Sequence, residues 1–405
     1  MQSMKDARST RSCGKYSLSE CGLPRTDRFV RIVALLLAVA TLSATACGRE
    51  INGDGRTDQP TAVELRACAV DTPGAWLDAI GGSAIDTGGA TTSPRAVGPD
   101  GDVVAVRDSA ETQDLLLIDT DRSVRELYAL TEPAMFAIGD VGVDDRWIVF
   151  AIDRHPRNAN GVLPQMKRIE LIDRQTGARS TVTEQSDADA AAKPDRNVLD
   201  RFVLSDGKVY WITRDEYNSE AGVVHSFDPL TGRGTDIASG PMSDLLAGTD
   251  WPKVPVKVPP TLTGLSAEAL ASLGTDGVAL GWTNPLASGG TEVGYWSPQT
   301  GRVTVVGVDV DVTKFRLPVL VFDSFVILNS GGSTTMLGSS ATIIDTRSGA
   351  VAELIPRIPG QYDRAVASMG GTLALALWVR AVDGSKQADY AAGMLRTGAL
   401  AALAC

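Results

Sequence analysis

The chain is poor in the residues that usually carry enzyme chemistry. It has two histidines in 405 residues, His155 and His225, and five cysteines. A histidine-rich zinc centre therefore has too few nitrogen or thiolate ligands to form. There is no G-x-S-x-G elbow, so a serine hydrolase of that type lacks its nucleophile. No glycine-rich phosphate loop leads from a strand into a helix. Aromatics make up only 5% of the chain, so any core is built mainly from Val, Leu, Ile and Ala. Basic charge is scarce too: the formal net charge is -11. An acidic surface repels phosphate backbones and anionic headgroups, so no nucleic-acid partner is expected and membrane contact needs an anchor. No catalytic residue, cofactor-binding residue or metal ligand is assigned, and no cofactor is expected.

Long apolar runs are also absent. The longest, Ile32–Ala46, follows Arg25, Arg28 and Arg31. It is too short for a comfortable span but suits the apolar region of an export signal. The first 46 residues hold seven Lys/Arg and three Asp/Glu, a local +4, which leaves the remainder at -11 - 4 = -15. No Arg-Arg pair precedes the run, so the twin-arginine route lacks its motif.

The run ends in Leu42-Ser43-Ala44-Thr45-Ala46-Cys47. This resembles the lipobox of bacterial lipoproteins, in which small residues precede a cysteine that receives a diacylglyceryl group. It departs from the family pattern at Ala44, where leucine is usual. Ala44-Thr45-Ala46 is equally a site for ordinary signal peptidase, and both enzymes would cut the same bond. The resemblance implies a signal peptide over 1–46, a lipidated Cys47 and an extracytoplasmic, membrane-tethered product. Cys13 and Cys21 then leave with the leader, and Cys68 and Cys405 remain as an expected disulfide in an oxidising compartment. A loop of that length stabilises by about 5 kcal/mol in the chain-entropy picture.

Residues 47–63 read as anchor and polar tether. Glu50, Asn52, Asp54, Gly55 and Asp58 imitate a calcium loop, but Thr61 stands where a bidentate acid is needed. Residues 64–91 hold a short helix: Thr72 is the expected N-cap before Pro73, Gly81-Gly82 the stop, and Trp76, Leu77 and Ile80 the buried face.

From residue 92 to 405 a repeat takes over. A tight turn leads into an apolar strand six times, as in Pro99-Asp100-Gly101 and Ser205-Asp206-Gly207. A second turn follows each, as in Asp173-Arg174-Gln175-Thr176-Gly177 and Asp228 to Gly232. Glycine in such turns supplies positive φ without steric cost. Four strands per unit predict an all-β, six-bladed β-propeller, with blades at 92–130, 135–183, 197–238, 264–308, 314–355 and 362–405. The last blade is expected to own all four of its strands. Trp147, Trp211, Trp282 and Trp378 are expected between blades, and His225 within a strand as a structural residue.

The second turn resembles the repeat of quinoprotein-like propellers, A-x-D-x-x-T-G-x-x-x-W, though the tryptophan is missing from every copy. The pattern is more similar to non-catalytic propeller lipoproteins and the six-bladed TolB-like group. That resemblance implies a recognition or scaffolding module for a protein, peptide or glycan. Long connections, such as 153–167, 184–197, 214–222, 251–264, 283–291 and 329–340, should gather on the end opposite the tight turns and carry recognition. The alternative is a hydrolase or lyase using carboxylates in the propeller channel, with or without calcium. Three or more acidic side chains lining that channel would favour the enzyme; an apolar mouth would favour the module.

Overall fold

In the computed structural model the chain divides into two units, 1–47 and 48–405. The structure describes residues 62–88, 90–109, 111–155, 165–185, 198–214, 219–247, 251–252, 258–262, 264–287, 289–309, 319–329, 341–354, 364–379 and 389–405. The leader, Cys47 and the acidic stretch 50–58 lie outside them.

The described strands form six sheets built from consecutive antiparallel strands, a β-propeller arrangement. Sheet 1 contains β3 (Thr91–Val97), β4 (Val103–Asp108), β5 (Gln113–Ile118) and β6 (Val124–Leu130). Sheet 2 contains β7 (Phe136–Val143), β8 (Trp147–Arg154), β9 (Met166–Asp173) and β10 (Arg179–Glu184). Sheet 3 contains β11 (Val198–Ser205), β12 (Lys208–Arg214), β13 (Ala221–Asp228) and β14 (Arg233–Pro241). Sheet 4 is β15 (Gly274–Thr275), β16 (Leu280–Pro285), β17 (Thr291–Trp296) and β18 (Val303–Val308). Sheet 5 is β19 (Leu320–Phe322), β20 (Phe325–Asn329), β21 (Ala341–Asp345) and β22 (Ala350–Glu353). Sheet 6 has β23 (Arg364–Met369), β24 (Thr372–Val379) and β25 (Asp389–Arg396).

Each repeat turn falls where the pattern puts it. Asp173 Oδ1 accepts from the backbone N–H groups of Gln175 and Thr176 at 2.8 and 3.2 Å, and Asp228 Oδ1 from those of Leu230 and Thr231 at 2.9 and 3.3 Å. These two carboxylates brace their own turns, which is a local reason for aspartate to start the motif.

Apolar side chains fuse neighbouring sheets. Val106 and Leu115 of sheet 1 pack on Phe150 and Ile152 of sheet 2. Trp147 and Ala151 of sheet 2 meet Val209 and Trp211 of sheet 3. Val293 and Val306 of sheet 4 meet Val326 and Ile344 of sheet 5. Val103 and Ala105 of sheet 1 meet Ala374 and Met394 of sheet 6. There the turns also interlock: a Cβ on Gly101 would stand 2.6 Å from the Gly370 carbonyl oxygen. Between sheets 3 and 4 no shared apolar cluster forms among the described residues. Helix α2 (Met242–Ala247) and Trp251 cover sheet 3 instead, while Leu262 and α3 (Ala267–Ala271) cover sheet 4. Trp282 belongs to that last cluster, and the side chain of Trp378 lies outside the description.

The expectation of a self-sufficient last blade is corrected. Sheet 6 has three strands of its own among the described residues, because Thr397-Gly398 turn into an irregular tail. Its outer edge is completed by the N-terminal segment: Ala84 bridges Gly393, Ile85 N–H donates to Ala392 O at 2.8 Å, and Met394 N–H donates to Ser83 O at 3.1 Å. The same segment lies along two more sheets. Strand β1 (Ala62–Arg66) pairs parallel with β18, from Ala62 opposite Val303 to Arg66 opposite Gly307. Strand β2 (Cys68–Ala69) pairs parallel with β22. Sheets 4 and 5 are therefore five-stranded, and uniform four-stranded blades are not what is found.

Between β2 and Ala84, helix α1 (Gly74–Gly81) wedges into the seam of sheets 5 and 6. Trp76 and Ile80 are buried, but Leu77 is 42% exposed, so the buried face is narrower than predicted. The N-cap is Pro73 rather than Thr72. Trp76 sits edge-on to Phe325, with ring centroids 5.5 Å apart, and its Nε1–H donates to Ala401 O at 3.2 Å. Cys68 and Cys405 are joined in a disulfide with Cα atoms 5.8 Å apart, which ties this belt to the C-terminal tail.

Candidate functional site

A cavity of about 1110 Å³ lies along the inner strands of all six sheets. Its walls are mainly apolar, with Val97, Val143, Leu204, Leu320 and Val366 from five different sheets. Inner strands contribute because each sheet presents its first strand to the middle, where alternate side chains point into one space. The described rim belongs to the tight turns, including Asp144–Trp147 and Ser205–Lys208.

Five carboxylates line this space: Asp140, Asp144, Asp145, Asp206 and Asp228. Two of them are committed to turns. Asp144 Oδ1 accepts from Arg146 N–H at 2.8 Å and Trp147 N–H at 2.6 Å, and Asp228 caps its own turn. The acids are spread along wall and rim, and no group of three or more potential ligands gathers to hold a metal among the described residues. Arg146 is drawn off to Asp173 at 3.1 Å.

Bulges shape the wall in a way the repeat pattern does not reveal. In β3, Pro94 pairs with Ala105 and Ala96 with Val104, leaving Arg95 extra. In β7, Ile138 pairs with Ile152 and Val141 with Phe150, so Gly139 and Asp140 stand against one residue. In β23 the extra residue is Val366. Bulges re-aim side chains and occur near working sites. Arg95, Asp140 and Val366 all line the cavity. An isolated glycine within a strand pattern, here Gly139, is the sequence signal for such a bulge.

Behind Asp140 lies Asp153. Its Oδ2 accepts from Gln165 Nε2 at 3.1 Å, and its Oδ1 is buried without a hydrogen bond. A Cβ on residue 139 would come within 2.6 Å of this carboxylate, so only glycine lets it lie against the bulge. Burial holds the Asp153 carboxyl above its ordinary range; the Gln165 hydrogen bond opposes this, the charge of Asp140 adds to it, and that of Arg95 offsets it.

His225 lies outside the cavity, on sheet 3. Its Nε2 is 2.7 Å from Thr213 Oγ1 and its Nδ1 2.6 Å from Asp236 Oδ1, and its ring stacks on Trp211. The contacts tie β12, β13 and β14 together. His155 is held through its backbone N–H, which donates to Met135 O at 2.9 Å. The long connections expected to carry recognition fall largely outside the described residues, at 156–164, 186–197, 215–218, 253–257 and 330–340.

No protein-family profile matches the chain, and no curated protein matches it in sequence. Among solved structures it is similar to an uncharacterized protein from Listeria monocytogenes, at 9% identity over 78% of each chain with a TM-score of 0.26. It is similar to an oligogalacturonate lyase in complex with manganese, at 9% identity over 74% of this chain and 75% of that one, with a TM-score of 0.30. A puromycin-hydrolyzing peptidase from Mycobacterium tuberculosis has 13% identity and a TM-score of 0.34. The match covers 72% of this chain but spans only 50% of the peptidase. At these TM-scores the fold rests on the sheets themselves and not on the likenesses.

Proposed function

We propose that the chain is an exported, lipid-anchored, six-bladed propeller that works as a recognition module, with the central channel as its binding site. The observation that carries this is the 1110 Å³ cavity walled by the inner strands of all six sheets, with largely apolar side chains. Binding sites of this size are concave and apolar, with a few polar groups that fix orientation. The six sheets make six blades, the belt and the sheet 1–sheet 6 contacts draw the ends of the repeat together, and a lipid on Cys47 holds the molecule to the membrane by the tether. The long connections, where the sequence leads one to expect partner recognition, fall largely outside the described residues; the channel is the concave surface that the described residues build.

A photo-crosslinking residue at Val366, inside the channel, should label a partner in the native envelope. The same residue at Thr235, on the outer strand of sheet 3, should not. Ala96→Trp, which puts a bulky ring into the channel, should weaken the label. Equal labelling at both positions would sink the channel as the site. For the anchor, Cys47→Ser should release the protein from membranes, and an N-terminal peptide without a diacylglyceryl mass would overturn that part.

The second reading is acid–base chemistry in the same channel. It is favoured by one arrangement, the buried carboxyl of Asp153 behind the open carboxylate of Asp140. A turnover lost in Asp153→Asn while ligand binding persists would establish it.

A further inference from the structure

Channel walls of this kind hold an apolar ligand but do not orient it; polar groups do that. Asp140 is the distinctive one. It stands in the bulge of β7, exposed along the cavity wall, and it has no hydrogen bond or ion pair among the described residues. Arg95, the cation on the neighbouring inner strand, has an interaction of its own, and its charge bears on Asp153. Asp145 and Asp206 stand exposed on the rim of the same two-sheet sector, with no ion pair among the described residues. With the whole chain at -11, the field at this mouth draws cations inward.

Resting on the reading of the channel as the binding site, we propose that its ligand is a peptide segment presenting a cationic nitrogen on an apolar chain. Asp140 receives the nitrogen, the valine and leucine walls receive the chain, and Asp145 and Asp206 guide the approach. The nitrogen belongs to a lysine side chain or to a free peptide N-terminus. Both offer N–H donors to a carboxylate, and such charge-assisted bonds are about twice as strong as neutral ones.

The test uses the full-length protein and three peptides in calorimetric titrations at neutral pH. The first is Leu-Val-Lys-Val capped at both ends. The second replaces lysine with norleucine, which keeps the chain and removes the charge. The third is the norleucine peptide with a free amino terminus. A cationic peptide should bind at least about tenfold tighter than the capped norleucine peptide. That advantage should vanish in Asp140→Asn and shrink only about twofold in Asp145→Asn. An advantage confined to the lysine peptide assigns the nitrogen to a side chain; one confined to the free-amine peptide assigns it to a terminus. Asp140→Glu should keep the preference, and its melting temperature reports that the bulge is intact. If all three peptides bind equally, and Ala96→Trp weakens their binding, the cation inference is overturned while the channel reading survives. If none binds, both are overturned.

Discussion

In sheets 1, 2 and 3 the outermost strands β6, β10 and β14 each contain one residue more than their partners can match. Tyr128 and Glu126 face consecutive residues of β5, leaving Leu127 extra; Val182 is extra in β10, and Ile237 in β14. In sheets 4, 5 and 6 the outermost strands β18, β22 and β25 are in unbroken register. Those are the three that the N-terminal belt covers, with β1, β2 and residues 83–85. An open edge is a template for pairing with another chain, and both covering it and bulging it are protections. The half that the belt leaves bare is therefore guarded by irregularity, and the belted half by added backbone pairing. The belt has a second role, since Trp76 fills the seam between sheets 5 and 6 with almost no exposure.

The largest effect should come from removing the belt. Deleting residues 62–85 exposes three regular edges at once and empties the Trp76 seam. The protein should form soluble oligomers or precipitate, read by light scattering on size exclusion. Trp76→Ala alone should cost about 4 kcal/mol in denaturant unfolding without making oligomers, because the edges stay covered. A monomeric deletion protein would show that the belt is not an edge guard.

Next is the bond that fastens the belt. Cys405→Ser opens a loop with a sequence separation of 337, and about 5 kcal/mol of stability should go with it. A thermal midpoint unchanged from wild type would mean that the pairings alone hold the two termini.

The tail has a noncovalent fastening as well. Asp345 receives Arg347 Nη2 at 2.7 Å, Arg347 Nε at 2.8 Å and the Leu403 N–H at 2.8 Å. Asp345→Asn should cost about 2 kcal/mol, moderated because Arg347 is itself 44% exposed and screened. Burial pushes the Asp345 carboxyl up, but the Arg347 side chain, the backbone N–H groups of Arg347 and Leu403, and the Arg347 charge together hold it below its ordinary value. Its contribution is complete above the ordinary carboxylate pKa and is lost as pH falls through the lowered one. The Asn variant should therefore show a flatter acid limb in a plot of stability against pH.

Deleting Ile237 would make β14 regular. Its side chain is 40% exposed, so little burial is lost and the melting temperature should move by only a few degrees. Self-association should rise with concentration in sedimentation experiments, and Ser239→Lys should reverse it by placing a charge on the edge. A deletion variant that stays monomeric at all concentrations would remove the bulge from the list of guards.

Much of this half-and-half design is hidden from a sequence. The turns were legible because Asp228 and Gly232 have local reasons to be where they are. The strands between them were legible from apolar runs, and the Cys68–Cys405 pair from elimination. The belt was not legible: strand addition by Ala62–Arg66 is a long-range choice, and Ala-Val-Glu-Leu-Arg looks like many edge strands. Arg396-Thr397-Gly398 repeats the turn motif, so the sequence predicts a closing strand after it, but the chain beyond bends into a tail held by Leu403 and Cys405. Bulges depend on register between two strands, so Arg95 and Asp140 gave no signal of their own beyond the glycine at 139.

The smallest effect separates the halves by the sign of their response to pH. Asp153, in the bare half, is the counterpart of Asp345: its carboxyl is held above its ordinary value, chiefly by burial, and its Oδ1 has no donor. The native state thus binds this proton more readily than the unfolded chain does. Stability from this site is greatest below the ordinary carboxylate pKa and declines as pH rises from there through the raised folded value. Asp345 acts in the opposite sense, losing stability as pH falls. Asp153→Asn keeps the shape and the Gln165 contact while removing the titration. It should leave acid stability unchanged, remove the decline at higher pH, and make the protein slightly more stable than wild type at neutral pH. Denaturant unfolding across the acid-to-neutral range would measure it. A variant less stable than wild type at neutral pH would mean that the Asp153 charge is compensated in the folded protein, and that the two halves do not differ in sign.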